Sequence, residues 1–342
     1  MKKLLALILA ILLLGVAIAM AWLSRRPYRG YTGSVLVTIP PGAGARSAAE
    51  TLTSRGVLRY RLPFLAIYIL GRRHRRTLKA GEYLFDRPIS PRDVYWKLVR
   101  DDIYYHLIVI PEGSDRFDMA RIFHDKLALD PENFLRATED TAMIADLDPS
   151  ALTLEGYLFP DSYRFPASTT AAGAVQTMVG RFRRVLSSHF LQDLNGQNVH
   201  QVVTLASLVE KETPDPAERP EIAGVFVRRL QLGMLLECDP TVIYAARLES
   251  GPGSVIAPVP GPLTARQLNS ASPYNTYRHP GLPPGPICSP GAASIEAALH
   301  PASGDTLYFV SNLHGGHVFS RTLEEHNRNV ARYRRQAAEL RN

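Results

Sequence analysis

The sequence has few cysteines and no recognisable metal-binding pattern. Its 342 residues include only two cysteines, Cys238 and Cys288, which excludes a disulfide scaffold and a thiol-rich metal site. An oxidising compartment would permit one disulfide, but the pairing geometry is demanding, and two buried, unpaired thiols are predicted instead. The ten histidines are scattered without an HExxH spacing, so a zinc enzyme is not expected. No metal or other cofactor is predicted.

The composition indicates a globular protein with a modest basic excess. A hydrophobic fraction of 46% and a charged fraction of 21% provide for a packed core. The length suits about two domains plus an anchor. The net charge is +7, and much of the basic excess lies in one run, Arg72, Arg73, His74, Arg75 and Arg76. A solvated basic turn is the preferred interpretation, and contact with an acidic wall polymer or lipid headgroups is the alternative. Nucleic acid is not a predicted partner.

One long apolar run lies near the N-terminus. From Leu4 to Leu23 the chain reads LLALILAILLLGVAIAMAWL without a charge, and about 20 such residues span a bilayer as a helix. An uncleaved anchor is predicted, with Trp22 at the interface and residues 24–33 as a tether. A signal peptide cleaved after Ala19-Met20-Ala21 is the competing interpretation, although the run exceeds the usual length of about 7–15 residues. Basic residues flank both ends, so charge alone does not fix the orientation.

A short pattern occurs twice and predicts a strand, a Pro-x-Gly turn and a helix. The first copy has alternating apolar residues before the turn and apolar residues at helical spacing after it. The matched positions are Val37, Ile39, Pro40, Gly42, Ala49 and Leu52 in the first copy, and Ile108, Ile110, Pro111, Gly113, Ala120 and Phe123 in the second.

The first copy opens a small α+β module over residues 34–106. A helix at Leu62–Leu70, a strand at Gly81–Phe85 and a helix at Pro91–Val99 are predicted to follow it, with Pro91 at a first helical position. This order of elements resembles the glycan-binding LysM fold. A generic α+β domain fits the same pattern, and both alternatives stay open.

The second copy opens a larger mixed α/β region, residues 107–342. Helices are predicted at Arg116–Phe123, Ala171–Phe190, Gln201–Glu212 and Glu221–Leu232. The third of these reads QVVTLASLVEKE and stops before Pro214, because proline disfavours helix in the residue that precedes it. Its acids lie at the negative end of the helix dipole, which tends to raise the pKa of a carboxyl group. This unfavourable placement indicates an acid kept for chemistry.

Three segments rich in proline and glycine are predicted to be rigid polar loops, at Leu236–Tyr244, Ser272–Tyr277 and Gly281–Pro290. Rigid loops present amide, hydroxyl and aromatic groups to a ligand at a low entropic cost, and these groups suit a sugar. The alternative is that Tyr274, Asn275 and Tyr277 merely close a turn.

Several motifs occur in one collinear order. They are SLVEKET at Ser207–Thr213, LEGYLFPDSY at Leu154–Tyr163, DPTVIY at Asp239–Tyr244, SPYNTY, GLPPGPI and the tail LYFVSNLHGGHVFSRTLEEHN. From about Val35 onward the chain resembles the endolytic murein transglycosylases of the YceG-like family. The resemblance implies a single-pass inner-membrane protein with a cytoplasmic N-terminus, a LysM-like subdomain and a periplasmic catalytic domain. Its implied partners are peptidoglycan strands, the cytoplasmic membrane and peptidoglycan synthases.

The resemblance places the catalytic acid in the VEKE segment. Glu212 is predicted to be this acid, and Glu210 is the alternative. Residues two positions apart are separated by about 200° around a helix, so the two carboxylates are not expected to face one cleft.

The implied reaction protonates the leaving oxygen and closes a 1,6-anhydro ring without water, so one carboxylate could suffice. Glu155 and Asp161 are candidates for a second, helping carboxylate, and a structural loop whose acids cap backbone amides is the alternative. The resemblance expects an uncharged polar residue where Glu237 stands, and this extra acid could raise the pKa of the catalytic one. The predicted substrate-binding residues are Glu155, Asp161, Asp239, Tyr274, Asn275, Thr276 and Tyr277.

Two other functions remain open at this point. One is a non-catalytic wall-binding scaffold of the synthesis machinery, against which the acid at position 212 argues. The other is a glycan hydrolase that uses two carboxylates and water, which differs from a transglycosylase only in the reducing end of the product.

Overall fold

The computed structural model describes residues 2–72, 76–194, 196–250 and 263–339. The chain forms two compact units. The N-terminal unit consists of Met1–His106 with Arg164–Ser168, and the C-terminal unit consists of Leu107–Tyr163 with Thr169–Asn342. Both contain helices and strands, so the predicted α+β class is confirmed.

The first helix is the long apolar segment predicted from the sequence. Helix α1 (Lys2–Arg25) has 24 residues, and its side chains are exposed along most of its length. Its most apolar window has a mean hydropathy of 3.0 and lies unburied. A helix of this length rises about 36 Å, enough to cross a bilayer. A signal sequence meets the same criterion, so length and composition do not separate the two interpretations.

The rest of the N-terminal unit follows the predicted order. Its elements are β1 (Val35–Ile39), α2 (Ala45–Ser54), α3 (Arg61–Arg72), β2 (Gly81–Phe85) and α4 (Pro91–Val99). Strands β1 and β2 pair antiparallel, with Val35 opposite Phe85 and Ile39 opposite Gly81. Helix α4 starts at Pro91, and Ser90 caps it by accepting a hydrogen bond from the Asp93 amide. The core is closed by residues from both strands and all three helices: Val37, Ile39, Leu52, Phe64, Tyr83, Phe85, Tyr95 and Leu98.

The basic run predicted after α3 falls partly outside the described residues, which omit 73–75. The interpretation of this run as a solvated turn is therefore untested. At its end, the Arg76 guanidinium lies 4.5 Å from the centroid of the Trp96 ring.

Both copies of the repeated pattern fold as a strand, a turn and a helix. The second copy consists of β3 (Tyr105–Val109) and α5 (Arg116–Leu127). The turn glycines adopt nearly the same left-handed backbone, with φ of +77° at Gly42 and +75° at Gly113. Glycine is required there because a Cβ atom is disfavoured at positive φ. The sequence repeat thus corresponds to a repeated local conformation.

Most of the C-terminal unit is helical. After α5 come α6 (Pro131–Ala137), a 3₁₀ turn (Thr141–Ile144), β4 (Ser162–Pro166), α7 (Ala171–Val185) with a π-helical turn (Leu186–Phe190), α8 (Val199–Glu212), α9 (Arg219–Gln231), α10 (Asp239–Glu249), α11 (Ala265–Leu268), α12 (Ala292–Leu299), β5 (Tyr308–Ser311), β6 (His317–Ser320) and α13 (Leu323–Glu339). The residues of β4 from Arg164 onward belong to the N-terminal unit. The strands of the chain pair as β1 with β2, β3 with β4, and β5 with β6.

One loop prediction was wrong. Residues 236–244 were expected to form a rigid loop, but α10 begins at Asp239. Pro240 lies in the first turn, where a missing N–H costs no helical hydrogen bond, and an acid at Asp239 suits the positive end of the helix dipole. The buried residues Thr241, Val242, Tyr244 and Ala245 give the segment a helical face. The prolines that suggested a loop therefore mark a helix start.

Gly156 provides a test of how tightly the C-terminal unit is packed. It has φ of +84°, and a Cβ atom there would lie 2.6 Å from Pro286 and 2.9 Å from Val203. We expect Gly156→Ala to lower the free energy of unfolding by about 2–5 kcal/mol, from backbone strain and overpacking together. Urea unfolding of the full chain measures this loss.

Gly196→Ala is the matched control, because Gly196 has φ of +83° but no atom within 4 Å of the added carbon. Its expected loss is about 1–2 kcal/mol, from the backbone alone. Equal losses in the two variants would show that packing around Gly156 contributes nothing.

Candidate functional site

The predicted catalytic acid lies at the end of α8, a largely buried helix of the C-terminal unit. Helix α8 is capped at its start by Asn198, and all eight residues from Val202 to Val209 are buried. It ends at Glu212, because Thr213 has extended backbone angles (φ −138°, ψ 135°) before Pro214. This end confirms the predicted stop. The rigid helix carries the half-buried Glu212 side chain to the surface of the core.

The environment of Glu212 favours its protonated form. Burial is the largest effect and raises the pKa of the Glu212 carboxyl group, and the nearby Asp239 carboxylate raises it further. A hydrogen bond from the Cys238 thiol, the His317 ring and the Arg229 guanidinium act in the opposite direction. The net pKa shift is upward. The sequence predicted this direction from the helix dipole, whereas burial is its main cause.

Cys238 is a hydrogen-bond donor to the acid. Its thiol is buried, and burial together with the neighbouring Glu212 carboxylate holds the pKa of Cys238 well above its usual value. The thiol therefore stays protonated and can donate. Cys288 is also buried, and its Sγ donates to the Ser207 carbonyl over 3.3 Å. The two cysteines are unpaired, as predicted.

Arg229 fixes the chain next to Cys238. Its buried guanidinium donates to the Leu235 and Leu236 carbonyls, both over 3.1 Å, and to the Leu307 carbonyl over 2.8 Å. It also pairs with the Glu237 carboxylate over 3.2 Å. Glu237 has a left-handed backbone (φ +53°), and its side chain turns to this arginine. The predicted influence of Glu237 on the acid is untested, and the carboxylate that raises the pKa of Glu212 is Asp239.

Glu218 ties the C-terminal β-hairpin to the end of α8. Its Oε2 accepts from the Thr213 hydroxyl over 3.1 Å and lies 2.8 Å from His317 Nδ1, while its Oε1 accepts from the His317 amide over 2.7 Å. Burial raises the pKa of Glu218, but these hydrogen bonds outweigh burial, and the net pKa shift is downward. The His317 ring is thereby held near the catalytic candidate.

Asp239 and Tyr277 form the open side of this group. Asp239 is exposed at the start of α10, and the Tyr277 hydroxyl donates to its Oδ1 over 2.6 Å. Burial, followed by this hydrogen bond, raises the pKa of the Tyr277 hydroxyl. The structure thus brings together Asp239 and Tyr277, and the field of Asp239 reaches Glu212. Asp239, Tyr277, Cys238, Arg229 and His317 surround Glu212, and we call these five residues the acid cluster.

Asn275 and Thr276 hold the loop itself. The Asn275 amide is 0% exposed, donates to the Leu268 and Ser270 carbonyls, and accepts from the Tyr277 amide. The buried Thr276 hydroxyl accepts from the Cys238 amide over 3.0 Å and lies 2.9 Å from the Thr241 hydroxyl. These contacts correspond to the turn-closing alternative. Direct substrate contact by Asn275 or Thr276 stays a prediction.

Glu210, the alternative candidate for the acid, is held by its own set of partners. Its Oε1 accepts from Arg219 over 3.1 Å, and its Oε2 accepts from the Gly291 amide over 2.9 Å. The pair is almost fully buried, with side-chain exposures of 6% for Arg219 and 5% for Glu210. Glu210 therefore has a structural partner for each carboxylate oxygen.

Glu155 lies in a different group of the same unit. Its buried Oε2 accepts from the Arg116 amide over 3.1 Å and from the Tyr244 hydroxyl over 3.0 Å. Its Oε1 has no hydrogen-bond partner among the described residues. Burial, reinforced by the Asp115 carboxylate, raises the pKa of Glu155. Tyr274 joins this group, with its ring centroid 5.1 Å from that of Tyr244.

Asp161 is occupied by an ion pair at the start of β4. Its Oδ2 accepts from Arg181 Nε over 2.7 Å, and its Oδ1 accepts from the Ser162 amide. This arrangement resembles the structural alternative considered for the LEGYLFPDSY segment. A substrate contact at Asp161 is not tested by these bonds.

Sequence reasoning missed four members of the site. Cys238, Glu218, Arg229 and His317 were not predicted, because nothing in their spacing identifies them before the fold is known. Two signals existed. Cys238 directly precedes the predicted Asp239, and His317 lies in the HGGH portion of a motif that was noticed only as a whole.

Comparisons with known proteins agree over most of the chain. The sequence profile of the YceG-like family matches residues 37–332. A Bacillus subtilis (strain 168) protein named endolytic murein transglycosylase is 30% identical over 317 residues, covering 88% of this chain and 85% of that protein. A protein of the same name from Streptococcus pneumoniae (strain D39) is 30% identical over 328 residues, covering 87% of this chain and 58% of that protein.

A solved structure is also similar. The crystal structure of a yceG-like protein from Listeria monocytogenes superimposes with a TM-score of 0.59 at 30% identity. The superposition covers 87% of this chain and 99% of that one.

The role of Asn275 can be decided by separating stability from activity. Asn275→Ala leaves two partly buried carbonyls and one amide without their partner, and we expect a loss of about 1–3 kcal/mol in the free energy of unfolding. Asn269→Ala is the control, since Asn269 is exposed and, among the residues that the structure describes, its side chain binds only the Ala265 carbonyl. A loss of glycan cleavage without a loss of stability in Asn275→Ala would instead assign this side chain to the substrate.

Proposed function

Because this chain belongs to the YceG-like family, we propose that it cleaves MurNAc–GlcNAc bonds within peptidoglycan strands and leaves 1,6-anhydro-MurNAc ends. Its curated relatives are endolytic murein transglycosylases by name, so an enzyme of the lytic transglycosylase class is the confirmed prediction. The observation that carries the detailed proposal is the half-buried Glu212 carboxyl, whose pKa is raised at the end of a rigid helix.

Glu212 acts first as an acid and then as a base. The protonated carboxyl gives its proton to the glycosidic oxygen as the bond from that oxygen to C1 of MurNAc breaks. The resulting carboxylate takes the proton of the sugar's own 6-hydroxyl, whose oxygen bonds to C1. Glu212 is then protonated again, and no water is consumed. A raised pKa suits both steps, because it increases the protonated fraction of the acid at any given pH and makes its conjugate base stronger than an ordinary carboxylate.

In this proposal the acid cluster stabilises the charge that develops on the substrate, and the reaction needs no second nucleophile. Positive charge develops on the sugar ring as the bond breaks, and Asp239 is our candidate to stabilise that charge, because its exposed carboxylate acts on Glu212. Tyr277 fixes the orientation of Asp239 through its hydroxyl. The half-buried ring of Tyr274 packs on Tyr244 and offers an apolar face of the kind that binds sugar rings.

Glu155 supports the site from the inside. It holds the Tyr244 hydroxyl and thereby the ring on which Tyr274 packs. Its burial favours a neutral acid at this position. In this role it positions aromatic residues and does not touch the scissile bond.

The N-terminal unit is proposed to be LysM-like and to bind glycan. The support is its order of strand, two helices, strand and helix around one antiparallel strand pair. We further propose that α1 is an uncleaved anchor with a cytoplasmic N-terminus, so that both units lie outside the inner membrane. The enzyme would then cut nascent strands and terminate their elongation, with a peptidoglycan synthase as partner.

A non-catalytic wall-binding scaffold is the second candidate. Such a protein would need no acid whose pKa is raised in a half-buried position, and nothing in a binding role accounts for the Cys238 donor beside it. The hydrolase alternative would need a second carboxylate at a defined separation with room for a water molecule.

The first functional prediction concerns Glu212. We expect Glu212→Gln to reduce glycan release by about 100-fold or more, since an amide is far too weak an acid to transfer a proton to the leaving oxygen. Mass spectrometry of digested sacculi measures both the amount and the ends of the products. The surface variant Glu139→Gln should release anhydro ends at the wild-type rate.

Each other outcome selects an alternative. Hydrated reducing ends from the wild-type enzyme would indicate hydrolysis, and no release by the wild-type enzyme would indicate a scaffold. A fully active, folded Glu212→Gln would move the acid to another residue.

The second functional prediction concerns pH. If Glu212 must be protonated to act, kcat/KM falls as pH rises through its pKa. The Asp239 charge raises that pKa, so Asp239→Asn should lower it and move the alkaline decline of kcat/KM to lower pH. Glu139→Gln is the control, because this exposed acid is not among the groups that shift the pKa of Glu212, and the alkaline decline should stay in place in that variant. A decline that stays in place in Asp239→Asn would show that Glu212 does not control it.

A further inference from the structure

The charge of this protein is divided unevenly along the chain. Residues 1–81 contain 14 lysines and arginines and a single acid, Glu50. The remaining residues contain 25 basic and 31 acidic side chains. The net charge of +7 therefore hides a strongly basic first part and a net acidic remainder. A catalytic domain that acts on sugars does not require such a division, so the basic part calls for an anionic partner.

Helix α3 adds an exposed apolar face to this basic region. Leu62 is 69% exposed, Ile69 is 66% exposed, and Leu70 beside it is 64% exposed. Positions 62 and 69 are about two turns apart and so lie on one stripe of the helix. The opposite face of α3 is used for folding, since Phe64 is fully buried in the core of the N-terminal unit. The exposed stripe is thus extra apolar surface that the unit does not need for its core.

This face is continuous with the end of the apolar helix α1. Helix α1 packs against α3 and α4 within the same unit. A groove of about 320 Å³ joins Arg25 of α1 to Leu70 of α3 and to Trp96 of α4. A second groove of about 330 Å³ joins Trp22 and Arg26 to Tyr60.

The side chains around these grooves are those found at membrane interfaces. Tyr60 is half exposed, and the Arg59 guanidinium lies 5.3 Å from the centroid of its ring. Arg26 lies over the Trp22 ring and Arg76 over the Trp96 ring, each at 4.5 Å. Tryptophan and tyrosine favour the headgroup level of a bilayer, and arginine beside them can contact lipid phosphates.

We propose that α3 lies on the surface of an anionic phospholipid bilayer. Leu62, Ile69 and Leu70 insert between the lipids, and Arg26, Arg59 and Arg76 contact the lipid phosphates. The inference rests on the proposed anchoring of α1, because anchoring brings this face to the headgroups. An amphipathic helix binds in this way when an apolar stripe and basic residues occur together. A soluble acidic polymer would engage the charges but would leave the aliphatic stripe in water.

The two native cysteines make a direct test possible. Both are buried in the C-terminal unit, so a cysteine added at an exposed position takes a thiol-reactive fluorophore selectively. The full chain carrying Leu62→Cys or Ile69→Cys is reconstituted into vesicles that contain nitroxide-labelled lipid. The vesicles are made of phosphatidylglycerol with phosphatidylcholine, or of phosphatidylcholine alone.

We expect quenching of the fluorophore at positions 62 and 69 to be at least twofold stronger in the anionic vesicles than in the neutral ones. Leu232→Cys is the matched control, because Leu232 is an equally exposed leucine of the C-terminal unit, at 61%. Its fluorophore should show no such difference between the two vesicles. Adding Arg59→Gln to Leu62→Cys should weaken the quenching at position 62.

Three results would overturn the proposal or its premise, and they can be told apart. A chain that alkaline carbonate extracts from the vesicles would show that α1 is not an anchor. A chain that resists extraction while positions 62 and 69 are quenched no more than position 232 would overturn the docking of α3 alone. In the third test, soluble polyglutamate is added to the chain in neutral vesicles. If it changes the emission at position 62 as much as anionic lipid does, the face binds an acidic polymer instead.

Discussion

The site depends on where one buried helix is forced to stop. Helix α8 is enclosed along its middle and cannot shift without disturbing the core. Pro214 makes Thr213 extended, so the last side chain of the helix, Glu212, has a fixed position. The Cys238, Asp239 and Glu218 groups are then arranged around that end. The buried middle of α8 holds its last residue in place, so the Glu212 carboxyl stays in an environment that raises its pKa.

Helix α10 connects the two groups of polar residues in the C-terminal unit. Asp239 in its first turn influences the acid cluster, and Tyr244 binds Glu155. These two residues are separated by about 7.5 Å along the helix. The Ser272–Tyr277 loop runs between the same groups, since Tyr277 binds Asp239 and Tyr274 packs on Tyr244. Glu155 and Glu212 thus belong to one scaffold but have different neighbours.

The fold was largely predictable because its elements carry local signals. Alternation in β1, Pro91 at the start of α4 and the Thr213-Pro214 stop each act within a few residues. The start of α10 was missed because proline marks helix starts and loops alike. The acid itself was predicted from its position in the VEKE segment, but His317 was not, since it reaches the site through contacts with Glu218, 99 residues away in sequence. Contacts between positions so far apart produce no periodic pattern in the sequence.

The bond between Glu218 and His317 joins residues 99 positions apart. A chain is synthesised from its N-terminus, so its earlier segments are available for folding first. Helix α8 is therefore complete before the hairpin that carries His317, and the surroundings of Glu212 stay incomplete during that interval. The polar groups around Glu212 are in this way assembled only when the last hairpin of the C-terminal unit has folded.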